Sequence, residues 1–92
     1  MTYGYCRIST RKQNIERQIR NILSEFPDAV ILREEYTGTK LDRKEWKKLF
    51  NSVRAGDTII FDSVSRMSRN AAEGVEAYEA LYKRGVNLVF LY

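Results

Sequence analysis

Histidine is absent from this 92-residue chain, and cysteine and proline occur once each. Each absence removes a class of chemistry. Without histidine there is no Ser-His-Asp triad, no His-Glu-x-x-His zinc site and no imidazole general base. A lone Cys6 forms no internal disulfide and no cysteine-built zinc site, and it gives no sign of secretion. A Cys-x5-Arg phosphatase loop starting at Cys6 fails on spacing, because Lys12 stands where the arginine belongs. The five glycines form neither a G-x-x-x-x-G-K-[ST] loop nor a G-x-G-x-x-G turn, so nucleotide binding through those devices is unsupported. Apolar runs last only a few residues, against the ~20 that a membrane-spanning helix needs. The opening MTYGYCRIST lacks the charged and then apolar segments of a signal peptide. A soluble cytoplasmic protein without a membrane partner is the expectation.

What is present suits one small folded domain. Hydrophobic residues make up 43% of the chain, enough for a thin core rather than a disordered tail. Sixteen basic residues against twelve acidic ones give a net charge of +4, which is compatible with a polyanionic partner but common among soluble proteins. The charge is uneven. Residues 1–24 hold five basic side chains against one acidic, and residues 40–54 hold six against two. Residues 25–35 are net acidic, and Glu73, Glu76 and Glu79 make a third helical segment acidic too.

Periodicity divides the chain into four short β-rich runs alternating with three helical patterns. Strands are expected at Tyr3–Ile8, Ala29–Leu32, Thr58–Phe61 and Val86–Leu91, the second compact enough to be covered on both sides. A first helix over Asn14–Phe26 places Ile15, Ile19, Ile22, Leu23 and Phe26 on one stripe, and Pro27-Asp28 stops it. A second, Arg43–Ala55, carries Trp46, Leu49, Phe50 and Val53, with Asp42 as N-cap and Gly56 as stop. A third, Ala71–Arg84, turns Val75, Tyr78, Leu81 and Tyr82 inward and ends at Gly85. Alternating apolar strands and helices imply an α/β fold: an open, mainly parallel sheet of about four strands with flanking helices. The apolar segment Leu88–Tyr92 has no covering helix after it, so residues 1–92 are expected to form a domain cut short at its C-terminus.

In open α/β sheets ligands bind outside the carboxyl ends of the strands. There the sequence places Arg7, Ser9, Thr10 and Gln13, then Glu34, Tyr36, Thr37 and Gly38, then Asp62, Ser63, Ser65, Arg66, Ser68 and Arg69. A hydroxyl nucleophile facing several arginines suits attack on phosphorus, where guanidinium forks neutralise the phosphoryl oxygens. It suits acyl transfer poorly, because no base is at hand to activate the serine.

These residues carry a resemblance. Tyr5-Cys6-Arg7-Ile8-Ser9-Thr10 with Gln13 and Gln18 resembles the Y-x-R-[VI]-S-T opening of the serine site-specific recombinases, the resolvase/invertase family. Glu34-Glu35-Tyr36-Thr37-Gly38 is similar to its acidic-x-x-[ST]-G loop, and Leu41-Asp42-Arg43 to its helix-opening D-R pair. Gly56-Asp57-Thr58-Ile59 followed by Ser65-Arg66-Met67-Ser68-Arg69 resembles its G-D-x-[IV] strand and D-R-L-x-R loop. The likeness runs in register along essentially the whole chain.

The resemblance implies a flavodoxin-type layering and DNA strand exchange through a 5′-phosphoserine intermediate, with no ATP, cofactor or metal. Ser9 would be the nucleophile, and Arg7, Arg66 and Arg69 would hold the scissile phosphate. Gln13, Arg43, Thr10 and Gln18 would support phosphate or DNA contacts. Double-stranded DNA, a homodimer and a synaptic tetramer are the implied partners. In the family a dimerisation helix and a DNA-binding region follow this domain, so the isolated chain is expected to bind DNA weakly. One departure stands out: Ser65 occupies the place of the aspartate that precedes the first arginine of the third motif. Two other readings stay open, a non-catalytic domain of the same fold and a small anion-binding α/β module. Taken singly, Ser9 also suits a cap, and Arg66 and Arg69 suit a solvated turn. Tyr5 reads as packing, Gly38 as a turn residue, Glu34 as a solvated loop acid, and Trp46 as core or interface.

Overall fold

The computed structural model describes residues 1–7, 15–34, 43–63 and 71–92. Their elements follow the expected alternation: β1 (Thr2–Arg7), α1 (Ile15–Glu25), β2 (Val30–Glu34), α2 (Lys44–Ser52), β3 (Thr58–Phe61), α3 (Ala71–Lys83) and β4 (Asn87–Phe90). The strands form one parallel sheet in the order β2-β1-β3-β4. Chain order reverses at β1, so the crevice between the carboxyl ends of β1 and β3 is the topological switch point of the sheet.

Two apolar layers sandwich this sheet. On one face Ile15 and Ile22 of α1 pack with Cys6 and Ile60. On the other, Leu49 and Val53 from α2 and its C-terminal cap meet Leu81 of α3 over Tyr5, Ile59 and Phe61. Strand alternation assigns the faces: Tyr3 and Tyr5 look toward α2, whereas Cys6 looks toward α1. Gly4 shares the α1 side, where a Cβ would come within 2.9 Å of both Ile22 and Ile31. The missing side chain lets α1 lie close on the sheet.

Two expectations change. α3 buries only Gly74 and Leu81, while Val75, Tyr78 and Tyr82 are exposed, with the two tyrosine rings stacked 6.3 Å apart. The helix carries apolar residues around too wide an arc for all of them to face one sheet, and the fold turns the Gly74 and Leu81 side inward. β2 was expected to be covered on both sides, yet it is an edge strand with Val30 exposed. The end of α3 agrees with expectation. Gly85 adopts φ +79°, its N–H donates to the Tyr82 carbonyl, and Val86 N–H donates to Leu81, a Schellman closure. Gly56, expected as the α2 stop, lies beyond Val53 in the turn before β3, with φ +93°. No helix among the described residues is long and apolar enough to cross a membrane.

Candidate active site

At the carboxyl edge of the sheet, Arg7 ends β1 and Glu34 ends β2, directly paired in register. Both are charged, yet they are only 4% and 3% exposed. Buried charges persist only where other groups satisfy them, so this edge is built by its partners.

Arg7 is held through its backbone. The ladder between β1 and β3 ends at Tyr5↔Phe61, and beyond it the Gln18 side chain of α1 takes over. Arg7 N–H donates to Gln18 Oε1 at 3.0 Å, and Gln18 Nε2 donates back to the Arg7 carbonyl at 2.8 Å. One amide side chain thus imitates the two hydrogen bonds of a neighbouring strand. Gln18 was expected to contact phosphate or DNA. It is 3% exposed, and its amide grips the Arg7 backbone at both ends.

Glu34 organises the other half. Its carboxylate accepts the Tyr5 hydroxyl at 3.0 Å, the Trp46 N–H at 3.0 Å and the Glu45 N–H at 3.1 Å. The last two are orphan donors of the first turn of α2, so a carboxylate from β2 caps a helix whose own N-cap residue, Arg43, supplies no side-chain capping bond. That N-cap is Arg43, where Asp42 was expected; Asp42 lies outside the described residues. Arg43 sits in the left-handed region at φ 50°, ψ 32°, with its guanidinium carbon 5.2 Å from the centre of the Trp46 ring. For a residue with a Cβ this conformation costs about 1–2 kcal/mol. Such strain is characteristic of functional sites and switch regions. Burial pushes the Tyr5 hydroxyl well above the ordinary tyrosine range; the nearby Arg43 charge opposes that shift without cancelling it.

Glu34 was read as a solvated loop acid and Tyr5 as packing. The structure instead joins them in one buried hydrogen-bonded unit with α2. A signal was available: alternation from the apolar Leu32 places Glu34 on the same inward face. Trp46 falls in the core as expected, against Tyr5, Phe50 and Phe61. Asp62, just past β3, is on the other side of the sheet, where its carboxylate accepts Asn21 Nδ2 of α1 at 2.9 Å. Ser9, Thr10 and Gln13 fall in 8–14, Tyr36, Thr37 and Gly38 in 35–42, and Ser65, Arg66 and Arg69 in 64–70, all outside the described residues. Segments 8–14 and 35–42 directly follow the ends of β1 and β2 in the chain, and 64–70 begins two residues beyond Asp62, just past β3.

A model of the resolvase N-terminal domain matches residues 2–92. This chain belongs to the resolvase family. It is 32% identical over 89 residues to the Tn917 transposon resolvase of Enterococcus faecalis, covering 97% of this chain and 48% of that protein. It is 33% identical over 87 residues to a DNA-invertase of Escherichia phage P1, covering 95% and 46%. A serine recombinase structure from Sulfolobus solfataricus superposes with a TM-score of 0.77 at 18% identity, over 99% of this chain and 67% of that one. The structural likeness establishes the fold. This resolvase-family chain spans about half the length of the curated relatives it matches.

Proposed function

We propose that this chain is the catalytic domain of a serine site-specific recombinase, acting on double-stranded DNA in the cytoplasm. Ser9 Oγ attacks a phosphodiester phosphorus, the P–O3′ bond breaks, and the leaving 3′-oxygen takes up a proton. A 5′-phosphoserine link remains, and the reverse attack by a 3′-hydroxyl restores the DNA. Because the bond energy is kept in the protein–DNA link, rejoining needs no ATP. The observation that carries this reading is Arg7, buried, gripped through its backbone by Gln18 and two residues ahead of Ser9. In this reading the Arg7 guanidinium serves phosphoryl transfer by position and charge. Arg66 and Arg69 complete the phosphate grip in this reading, with Arg43, Gln13 and Thr10 supporting it.

The test titrates the chain with tungstate, a phosphate mimic, and follows backbone amides and arginine side chains by NMR. Saturable shifts converging on Arg7, Ser9, Arg66 and Arg69, and abolished by Arg66→Ala and Arg69→Ala, are expected. Scattered shifts that never saturate count against the pocket. Ser9→Ala should leave tungstate binding nearly intact while removing any detergent-resistant protein–DNA link.

Ser65 favours a second reading, a domain that keeps the fold for assembly and has lost the chemistry. Cleavage gained on Ser65→Asp would identify the missing function, and cleavage untouched by Ser9→Ala would discard the nucleophile. Homo-oligomerisation belongs to the same proposal. The exposed Val75, Tyr78 and Tyr82, spaced three and four apart on α3, supply an apolar seam suited to a second copy.

A further inference from the structure

α2 begins at the carboxyl edge, where Glu34 receives its first-turn N–H groups, and runs away from the site along the outside of the sheet. Its outer surface is basic. Lys44, Lys47 and Lys48 are all exposed, and Glu45 is the only acid on the helix. Glu45 lies 3.7 Å from Lys48, a surface contact of little strength, and no carboxylate among the described residues pairs with Lys44 or Lys47. α3, on the same face of the sheet, carries the opposite sign through the exposed Glu73, Glu76 and Glu79.

We infer that the lysine face of α2 is a DNA-backbone track, taking the phosphates that flank the one held at the site. The inference rests on the recombinase reading for the identity of its ligand. Lys44 and Lys48 lie ~6 Å apart along the helix axis at 1.5 Å per residue. Duplex DNA presents a phosphate every ~3.4 Å of axis on each strand, so three ammonium groups on this face meet successive phosphates. The Glu34 carboxylate already occupies the positive end of α2, so the helix dipole adds little and the lysines supply the attraction. Repulsion from α3 sets the direction: a duplex engaged at Arg7 extends over α2 and away from the acidic helix.

The experiment measures binding of a labelled random-sequence duplex to the full 92-residue chain across a range of salt concentrations. One variant combines Lys44→Gln, Lys47→Gln and Lys48→Gln. A charge-matched control combines Arg17→Gln, Arg20→Gln and Lys83→Gln, which are exposed on other elements. The α2 variant should weaken binding tenfold or more at low salt and flatten the log–log salt dependence by about 3. The control should change both far less, and circular dichroism should show all three proteins folded. Equal effects from the two triples would reduce the track to net charge and overturn it, as would no measurable binding by the parent chain. Self-association of the parent without DNA, lost in the α2 variant, would reassign the face to a second copy and overturn it too. The tungstate titration reports separately on the recombinase chemistry. A flattened salt slope without a tungstate site keeps the track and removes that chemistry; a tungstate site with an unchanged slope does the reverse.

Discussion

At the residue scale, Glu34 is the most consequential side chain that the structure describes. Three donors converge on its carboxylate, and removing it strands two helix N–H groups and a buried hydroxyl. Glu34→Ala should destabilise the domain by about 3 kcal/mol in denaturant unfolding, the scale of losing several partners of a buried charge. Glu34→Gln retains one accepting oxygen and should cost roughly half as much. Tyr5 adds a pH signature. Its hydroxyl titrates in the folded state well above the ordinary value near 10, chiefly because it is buried. The unfolded chain then ionises first, so the contribution of Tyr5 is fully present below pH ~10 and is lost as pH rises beyond it. Unfolding midpoints of the parent should fall more steeply above pH ~10 than those of Tyr5→Phe; parallel curves would refute the assignment.

At the element scale, α2 is capped at both ends by side chains from elsewhere. Glu34 supplies negative charge at its N-terminus. At its C-terminus the Arg84 guanidinium, arriving just after α3, donates to the Phe50 carbonyl at 2.5 Å and the Val53 carbonyl at 2.6 Å. The two charges match the helix dipole in sign at each end. Arg84 also lies over the Phe50 ring, 5.3 Å from its centre. These borrowed caps explain how a nine-residue helix, too short to persist alone, is held firmly enough to present Arg43 and the lysine face. Arg84→Gln should lower stability by about 1–2 kcal/mol and increase amide exchange selectively in the last turn of α2. Uniform exchange changes across the sheet would show instead that Arg84 matters to the whole domain.

At the scale of the whole molecule, the sheet divides the labour. One face is closed by α1, whose Gln18 reaches over the end of the sheet to position Arg7. The other carries the basic α2 and the acidic, tyrosine-bearing α3. Tyr82 is 70% exposed and Val75 57%, which leaves an apolar seam along the outer side of α3. Tyr82→Lys should therefore leave the unfolding midpoint within about 0.5 kcal/mol of the parent while weakening self-association in sedimentation experiments. Association unchanged by the substitution would place the contact between copies elsewhere.

The order of elements, the parallel α/β class and the family motifs were legible along the chain. Each depends on neighbours: the 3.6-residue spacing of Ile15, Ile19 and Ile22, the short apolar run Thr58–Phe61, and the glycine at 85 needed for φ above zero. Tertiary structure decided the rest. The spacing of Val75, Tyr78, Leu81 and Tyr82 suits a buried stripe equally well, and packing against the sheet chose Leu81 and left the others in water. Glu34 meets Tyr5 across 29 residues and Trp46 across 12, and Gln18 meets Arg7 across 11. Local sequence rules assign a helix cap to the residue just before the helix. Once the chain is folded, a carboxylate from an adjacent strand end reaches the same N–H groups, and its burial strengthens every hydrogen bond it accepts.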